Sequence, residues 1–448
     1  DNIFVVCRTK MAASITKRTL AGFRKDIRIN IRCYEHEVPV TDLVSAGVLK
    51  AADEHVTKEG KTYFYNGHES LECDMINVLR AKPELFQNDI VRGKDFWHVY
   101  KSIPKSGNED INNMKFKAVV GNPPYQIMDG GGTGSSATPI YNKFVNSAEN
   151  LNTLIVSMII PAKWYTGGKG LDEFRIKMLN DRQLTKLFDF EDSRDCFPTV
   201  DIAGGVCYFL WQKGKDTKCH ITTIHGNLRN ESVRYLNEHD TFIRHQKVLD
   251  IINKVKEQTF TGFLSQKVYS RKPFGIRSFQ HGFPAKPGRN IRLFGSDGIT
   301  YLEENDVPQN REIIEKWKVI MSKASAEHAG QTDSTGRKRI VSRLEVLPPY
   351  TICTESYLLL DIFDCKEDAE NMKKYIKTCF ARFLLSSILI TQNIVRDKFK
   401  FIPLQNFTAI SDIDWGLSIA DIDKQLYRKY KLDEDEIEFI EKMIKPME

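Results

Sequence analysis

Between Lys117 and Trp211 short apolar runs alternate with stretches of helical periodicity, and that alternation narrows the possible folds more than any other feature of the chain. Lys117–Gly121 (Lys-Ala-Val-Val-Gly) reads as a strand, 139–148 as a helix, and 151–160 as a second strand ended by Pro161. Helical spacing returns at 171–180, and 187–190 and 204–211 read as two further strands. A similar unit opens the chain, with an apolar strand at 3–7, a helical stretch from about Thr9 to Phe23 and an alternating strand at 27–33. Strands separated by helices predict an open, mostly parallel α/β sheet, because parallel neighbours need a crossover long enough to hold a helix. The ligands of such sheets sit beyond the carboxyl ends of the strands.

After about Gly214 the pattern changes to shorter strands, polar loops and a helical tail at 433–443, which places a boundary within 215–245. A chain of 448 residues exceeds the usual single-domain size, so two domains are expected, 1–225 and 226–448. An apolar fraction of 41% with 28% charged residues excludes a disordered or fibrous chain. The longest apolar runs, 154–161 and 383–390, fall short of the roughly 20 residues that cross a bilayer. No charged segment followed by an apolar stretch marks a signal peptide at the start, so a soluble, cytoplasmic protein is expected. Nine scattered cysteines with no Cys-x-x-Cys pair argue against a disulfide framework or a zinc site, and no metal is expected.

Asn122-Pro-Pro-Tyr125 follows the 117–121 strand at once, at the kind of strand end where a ligand is held. The Asn122 side-chain carbonyl can accept a hydrogen bond from an exocyclic amine and draw electron density onto its nitrogen. Pro123 and Pro124 each lock φ, and Pro124 restricts Pro123 to extended geometry, so a carbonyl of this turn, that of Pro123, can take a second amine proton. Tyr125 offers a flat face on which a base stacks, worth about 1–3 kcal/mol. These are the parts needed to hold the amine of an adenine swung out of a duplex. Taken alone, the four residues also read as a plain Pro-Pro turn. The glycine-rich 129–136 that follows is flexible enough to close over a substrate, but its place after the motif is not that of a phosphate loop.

A longer set of segments carries a resemblance: Lys117-Ala-Val-Val-Gly-Asn-Pro-Pro-Tyr-Gln126, Ala137-Thr-Pro-Ile-Tyr-Asn-Lys-Phe144, Ile159-Ile-Pro-Ala-Lys-Trp164, Gly167-Gly-Lys-Gly-Leu-Asp-Glu-Phe-Arg175, Asp189-Phe190, Cys196-Phe-Pro198 and Asp201-Ile-Ala-Gly-Gly-Val-Cys-Tyr-Phe-Leu210. Together they resemble the adenine-specific (N6) DNA methyltransferase domain of type II restriction–modification enzymes, of the TaqI-like gamma class. The resemblance implies a Rossmann-like S-adenosylmethionine-dependent methyltransferase sheet followed by a mixed α+β DNA-recognition domain, and double-stranded DNA as partner. By it, Asn122, Pro123, Pro124 and Tyr125 hold the target adenine and Phe197 packs against its other face; plain core packing is the other reading of Phe197. Trp164 reads as structural. Segments such as Phe274-Gly-Ile276, Glu315–Ile320, Thr351–Tyr357 and Phe401–Phe407 look like the recognition region, which gives the basic clusters at 267–277, 286–292 and 337–343 a role. Lys267, Arg271, Lys272 and Arg277 are then the expected DNA contacts. The +6 net charge and pI near 8.6 permit such a partner, although each cluster also reads as a solvated loop.

One part of the family pattern is missing. The cofactor turn, roughly Asp/Glu-Pro-x-x-Gly-x-Gly, has no counterpart between Asp1 and Asn122, and the strand at 3–7 continues without a glycine to Ser14. Either this segment precedes Asp1 in a longer parent or the N-terminal region is something else. Glu35 and Asp74 are the candidates for the cofactor's ribose and adenine, and each also reads as a solvated carboxylate. Two other readings stay open: a DNA-specificity module with incomplete catalysis, and a fragment of a restriction endonuclease–methylase fusion. For the second, Glu59 and Lys61 downstream of Asp42 or Asp53 are a weak magnesium-nuclease pattern. Neither a Gly-x-x-x-x-Gly-Lys-Ser/Thr loop nor a DEAD-like box supports a motor domain, and further restriction–modification modules are possible partners.

Overall fold

The computed structural model describes residues 3–7, 29–33, 55–58, 61–65, 70–72, 117–128, 137–150, 153–226, 228–285, 288, 290–326, 332–333 and 335–447. Contacts divide the chain into two compact units. One is Asp1–Phe188 with Cys207–Thr222 and Val233–Leu236, and the other is Asp189–Val206 with Thr223–Ser232 and Asn237–Glu448. At the N-terminal side, β1 (Ile3–Cys7) and β2 (Ile29–Cys33) pair in parallel, while β3 (His55–Lys58), β4 (Lys61–Tyr65) and β5 (Ser70–Glu72) form an antiparallel sheet. The helical stretch expected at 9–23 lies outside the described residues.

Six strands make the sheet that carries the Asn-Pro-Pro-Tyr turn. They are β6 (Ala118–Gly121), β9 (Ile155–Pro161), β10 (Leu184–Phe190), β11 (Val206–Gln212), β12 (Cys219–His225) and β13 (Leu228–Arg234), ordered β13-β12-β10-β11-β9-β6. The two omitted numbers, β7 (Gln126–Met128) and β8 (Ala137–Pro139), form a separate hairpin. β6 and β9 are parallel, with Ala118 opposite Ile155 and Gly121 opposite Met158, and helix α1 (Tyr141–Asn150) lies in the connection between them. Its buried Tyr141, Val145 and Ala148 recur at helical spacing and form the apolar stripe. From β9 the chain passes through α2 (Asp172–Asn180) to β10.

Between β9 and β10 sits β11, and it runs against both. Lys213 N donates to Leu154 O and Gln212 N to Gln183 O, so the end of β11 lies beside the starts of its two neighbours. The sheet is therefore mixed, whereas the alternation of strands and helices predicted a mostly parallel one. The connection from β10 to β11, residues 191–205, holds a single 3₁₀ turn and no crossover helix, and β11 returns antiparallel. β10 and β12 are parallel again, since Thr217 N meets Arg182 O at one end and Glu191 N meets Ile224 O at the other.

Several element ends differ from the sequence reading by a few residues. Helix α1 begins at Tyr141 and not at 139, because Pro139 is still paired with Gln126 in the hairpin. Strand β9 begins at Ile155 and not at 151, since Thr153 Oγ1 turns back on the Ile155 carbonyl. β10 starts three residues before the expected 187, where Leu184 and Thr185 are already buried.

The unit that holds the C-terminal part has two three-stranded sheets. One is β14 (Ile291–Gly295) between β15 (Gly298–Leu302) and β18 (Thr351–Cys353), and the other is β16 (Trp317–Ser322) between β17 (Leu344–Leu347) and β19 (Tyr357–Phe363). Helices α3 (Gln246–Glu257), α4 (Lys366–Lys377), α5 (Cys379–Ser386), α6 (Ile419–Lys429) and α7 (Glu434–Met443) supply nearly half of its main core. Two buried ionic groups tie these helices together. Asp423 of α6 accepts the Cys379 and Phe380 N–H groups at the start of α5, at 2.8 and 2.9 Å, which satisfies donors that a helix N-terminus leaves open. Arg382 of α5 is 1% exposed and donates to the carbonyls of Lys377, Arg339 and Lys445.

Gly205, just before β11, has φ of +80°, and a Cβ there would lie 2.0 Å from the Phe190 carbonyl oxygen. Gly214 has φ of +75° but open space around it. Gly205→Ala is expected to cost on the order of 3 kcal/mol and Gly214→Ala about 1 kcal/mol, from strain with and without a clash. Chemical denaturation of the two variants checks this, and equal midpoints would contradict it.

Candidate functional site

The strand β6 ends at Gly121, and the chain leaves it directly into Asn122, Pro123, Pro124 and Tyr125. Asn122 is exposed, Pro123 is buried, and Pro124 and Tyr125 are half-buried. The Tyr125 carbonyl accepts the Ile140 N–H at 3.2 Å, and Gln126 pairs with Pro139 in the β7–β8 hairpin. The turn is thus pinned at both ends, by β6 on one side and by the hairpin leading into α1 on the other. The glycine-rich residues 129–136 that join the hairpin strands lie outside the described residues.

The parallel register sets a second turn beside the first. β9, the neighbour of β6, ends in Ala162–Tyr165, a single 3₁₀ turn, followed by a loop in which Gly167, Gly168, Lys169 and Gly170 all have positive φ. Arg175 Nη1 donates to the Thr166 carbonyl at 2.8 Å, and Gly168 N donates to Asp172 Oδ1 at 3.1 Å. A Cβ on Gly167 would meet that Asp172 oxygen at 2.3 Å, so the loop needs its glycine there. Lys163 is half-buried in the 3₁₀ turn, and burial, helped by the nearby Lys169 charge, pulls its ammonium below the ordinary lysine range. Sequence reasoning gave no role to Lys163 or to this loop, although Gly-Gly-Lys-Gly was a visible signal.

Trp164 is fully buried. Its indole packs edge-on against Tyr165 and Phe174, and its Nε1 donates to Cys207 Sγ at 3.4 Å. Phe174 also meets Tyr141 of α1 edge-on, so one aromatic cluster supports β9 and both helices that follow the two turns.

The acidic residues expected for the cofactor, Glu35 and Asp74, lie outside the described residues, as do Asp42, Asp53 and Glu59. Among the described residues at this end of β6 and β9, the Asp172 carboxylate is engaged by Gly168 N and by Arg175 at 3.4 Å. The turn after β6 suits the amine of a base, and the residues expected to hold S-adenosylmethionine lie outside the described ones. No cluster able to hold a metal occurs among them either, and no helix among them is long and apolar enough to cross a membrane.

The other expected site residues belong to the second unit. Phe197 is half-buried, with its N–H on the Ser193 carbonyl at 2.7 Å and its own carbonyl taking the Val200 N–H at 2.9 Å. Lys267, Arg271 and Arg277 are exposed and Lys272 is half-buried. Lys323 Nζ donates to the Arg271 carbonyl at 2.7 Å, and Glu355 lies 3.6 Å from the Arg271 guanidinium. Residues 286, 287 and 289 of the next basic cluster lie outside the described residues.

A polar cluster past the end of β10 carried no sequence signal, because its members are spread over more than fifty residues. Asp189 is fully buried and pairs with Arg244 at 2.9 Å, and Arg244 Nη2 also donates to the Gly204 carbonyl at 2.5 Å. Glu191 pairs with His245 and lies 3.5 Å from His225 Nδ1. Burial would raise the Glu191 carboxyl, but hydrogen bonds from His225 and His245 and the Arg244 charge hold it well below the usual carboxylate range. The hydrogen bond to Glu191 raises His225 above its ordinary value of 6.5, against a smaller opposing effect of burial.

Residues 1–197, which contain both turns, match the model of the Eco57I restriction-modification methylase family. A curated protein of Mycoplasma pneumoniae (strain ATCC 29342 / M129 / Subtype 1), described as an "Uncharacterized adenine-specific methylase", is 36% identical over 220 residues, 45% of this chain and 51% of that protein. The chain spans about half the length of this relative. The segment that contains both turns is thus similar to restriction-modification methylases, and the chain to an adenine-specific methylase. Among solved structures, the type IIL restriction-modification enzyme MmeI in complex with DNA is similar at 9% identity and a TM-score of 0.39, over 72% of this chain and 56% of that one. A nuclease-deletion mutant of the type ISP enzyme LlaGI in complex with a DNA substrate mimic is similar at 10% identity and a TM-score of 0.39, over 96% and 44%.

The ion pair of His225 with Glu191 gives a pH signature. A group with a raised folded-state pKa stabilises fully below its unfolded value and loses that effect as pH rises through the folded one. His225→Gln should therefore lower the melting temperature most at about pH 6, with the gap to the parent closing above 6.5. Melting curves from pH 5.5 to 9 test this, and a gap that widens with pH would contradict it.

Proposed function

We propose that the chain is the catalytic and DNA-reading part of a restriction–modification enzyme that methylates the N6 amine of adenine in double-stranded DNA, using S-adenosylmethionine. The reading rests on one observation above others: an exposed asparagine amide at the carboxyl end of β6, followed by two prolines and a half-buried tyrosine, within the segment that matches the methylase family. In this reading the sheet is the Rossmann-like core of a methyltransferase, residues 1–225 form the catalytic domain and 226–448 the target-recognition domain.

The flipped adenine stacks on Tyr125. Asn122 Oδ1 and the Pro123 carbonyl accept the two amine protons, which raises electron density on the nitrogen and meets the positive charge that grows there during attack. Because the turn is pinned by β6 and by the Ile140–Tyr125 hydrogen bond, these acceptors need little reorganisation when the charge develops. S-adenosylmethionine supplies the methyl group when bound, and Glu35 and Asp74 are the proposed contacts to its ribose and adenine. Lys267, Arg271, Lys272 and Arg277 contact the DNA, mainly its phosphates. The work is then done in the cytoplasm, with or without further restriction–modification modules.

Methyl transfer from radiolabelled S-adenosylmethionine to mixed-sequence DNA tests this directly. Asn122→Ala should lower the rate by about 10²–10³-fold, the order seen when an oriented partner of developing charge is removed, with DNA affinity little changed. Undiminished transfer would remove Asn122 from this role.

A second reading, a DNA-specificity module without catalysis, is favoured by the absence of an Asp/Glu-Pro-x-x-Gly-x-Gly turn between Asp1 and Asn122. Calorimetric titration with S-adenosylmethionine separates the two, since tight binding by this chain excludes the module.

A further inference from the structure

The segment 258–296 contains seven Lys and Arg residues and no Asp or Glu, in a chain that otherwise nearly balances its charges. Within it, residues 277–281 are exposed throughout, yet both flanks are anchored. On one side Ile276 is buried and its carbonyl takes the Glu355 N–H at 2.9 Å. On the other, Gly282 N donates to Thr300 Oγ1 at 3.0 Å, and Phe283 exchanges two backbone hydrogen bonds with Tyr301, at 2.8 and 2.9 Å. The exposed piece is itself closed into a turn, because Arg277 N donates to Gln280 Oε1 at 2.7 Å and Gln280 N to the Arg277 carbonyl at 3.1 Å. Between these two residues the turn presents Phe279, 67% exposed, with the Arg277 guanidinium 5.8 Å from its ring centre.

Exposed apolar side chains are common on this chain, but Phe279 stands on a turn locked at both flanks and among basic side chains, so covering it with a partner would gain apolar burial at little cost in ordering. Charge complementarity makes that partner anionic, since 258–296 carries seven Lys and Arg residues without a carboxylate and Arg277 is exposed beside the ring. It also has to offer an apolar slot. We infer that Phe279 is a wedge that enters the base stack of duplex DNA, while Arg271, Lys272 and Arg277 take the flanking phosphates. This rests on the DNA-methylation reading and adds to it the device that keeps the duplex open while a base is out of the stack. Swinging a base out leaves a gap with two unstacked faces, and an inserted ring offsets that cost, as apolar side chains do in DNA-kinking proteins.

The test uses the full chain, a mixed-sequence duplex, and the same duplex with one abasic position, where the stack is already interrupted. The parent should bind the abasic duplex about tenfold tighter, since less stacking has to be broken. Phe279→Ala should bind both duplexes alike, and Phe279→Trp should keep the preference. Arg277→Ala should weaken both equally and reduce the slope of log affinity against log salt by about 1. If Phe279→Ala keeps the preference, or the parent shows none, the wedge is overturned while DNA methylation stands. If the parent binds neither duplex, both readings fall.

Discussion

The parallel pairing of β6 with β9 is the constraint on which the candidate site depends. Four residue pairs, from Ala118 with Ile155 to Gly121 with Met158, fix how far apart the two strand ends lie, with β9 running on through Ile159–Pro161 past the partner of Gly121. One end carries the Asn-Pro-Pro-Tyr turn and the other the Ala162–Tyr165 turn with its positive-φ loop. A slip of one residue would turn each side chain of β6 to the opposite face and displace both turns relative to each other. The aromatic cluster of Trp164, Phe174 and Tyr141 lies behind this pairing and fills the space between β9 and the helices that follow the two turns.

Polar groups are deployed in two distinct ways. Around Asp189, Glu191 and Asp423 the charges are buried and fully engaged, so they hold backbone segments and helix starts in place. Along 258–296 the charges are of one sign, and the side chains of Arg271 and Arg277 are exposed, so the segment attracts a polyanion. The first arrangement costs desolvation that internal hydrogen bonds offset. The second leaves its attraction for a partner and makes it dependent on salt.

Much of the catalytic half could be read from the residues because its signals are local. Val119 and Val120 before a double proline mark a strand end and a rigid turn without reference to any other part of the chain, and the 141, 145, 148 stripe marks α1. The direction of β11 could not be read, since its apolar run is the same in a parallel or antiparallel strand and only the short connection from β10 bears on it. The Glu191, His225 and His245 group was invisible for a related reason: its members meet only after strands distant in sequence have paired. Thr153 shows the scale of the smaller differences, since its side chain bonds the Ile155 carbonyl just ahead of the strand start.

The place of β11 also bears on how the sheet is held together. β9 and β10 precede β11 in the chain, yet they bond to it and not to each other. A chain lacking residues 206–212 would leave one edge of β9 and one edge of β10 with unpaired N–H and C=O groups, so β11 protects the sheet from edge-to-edge association as well as joining its two halves.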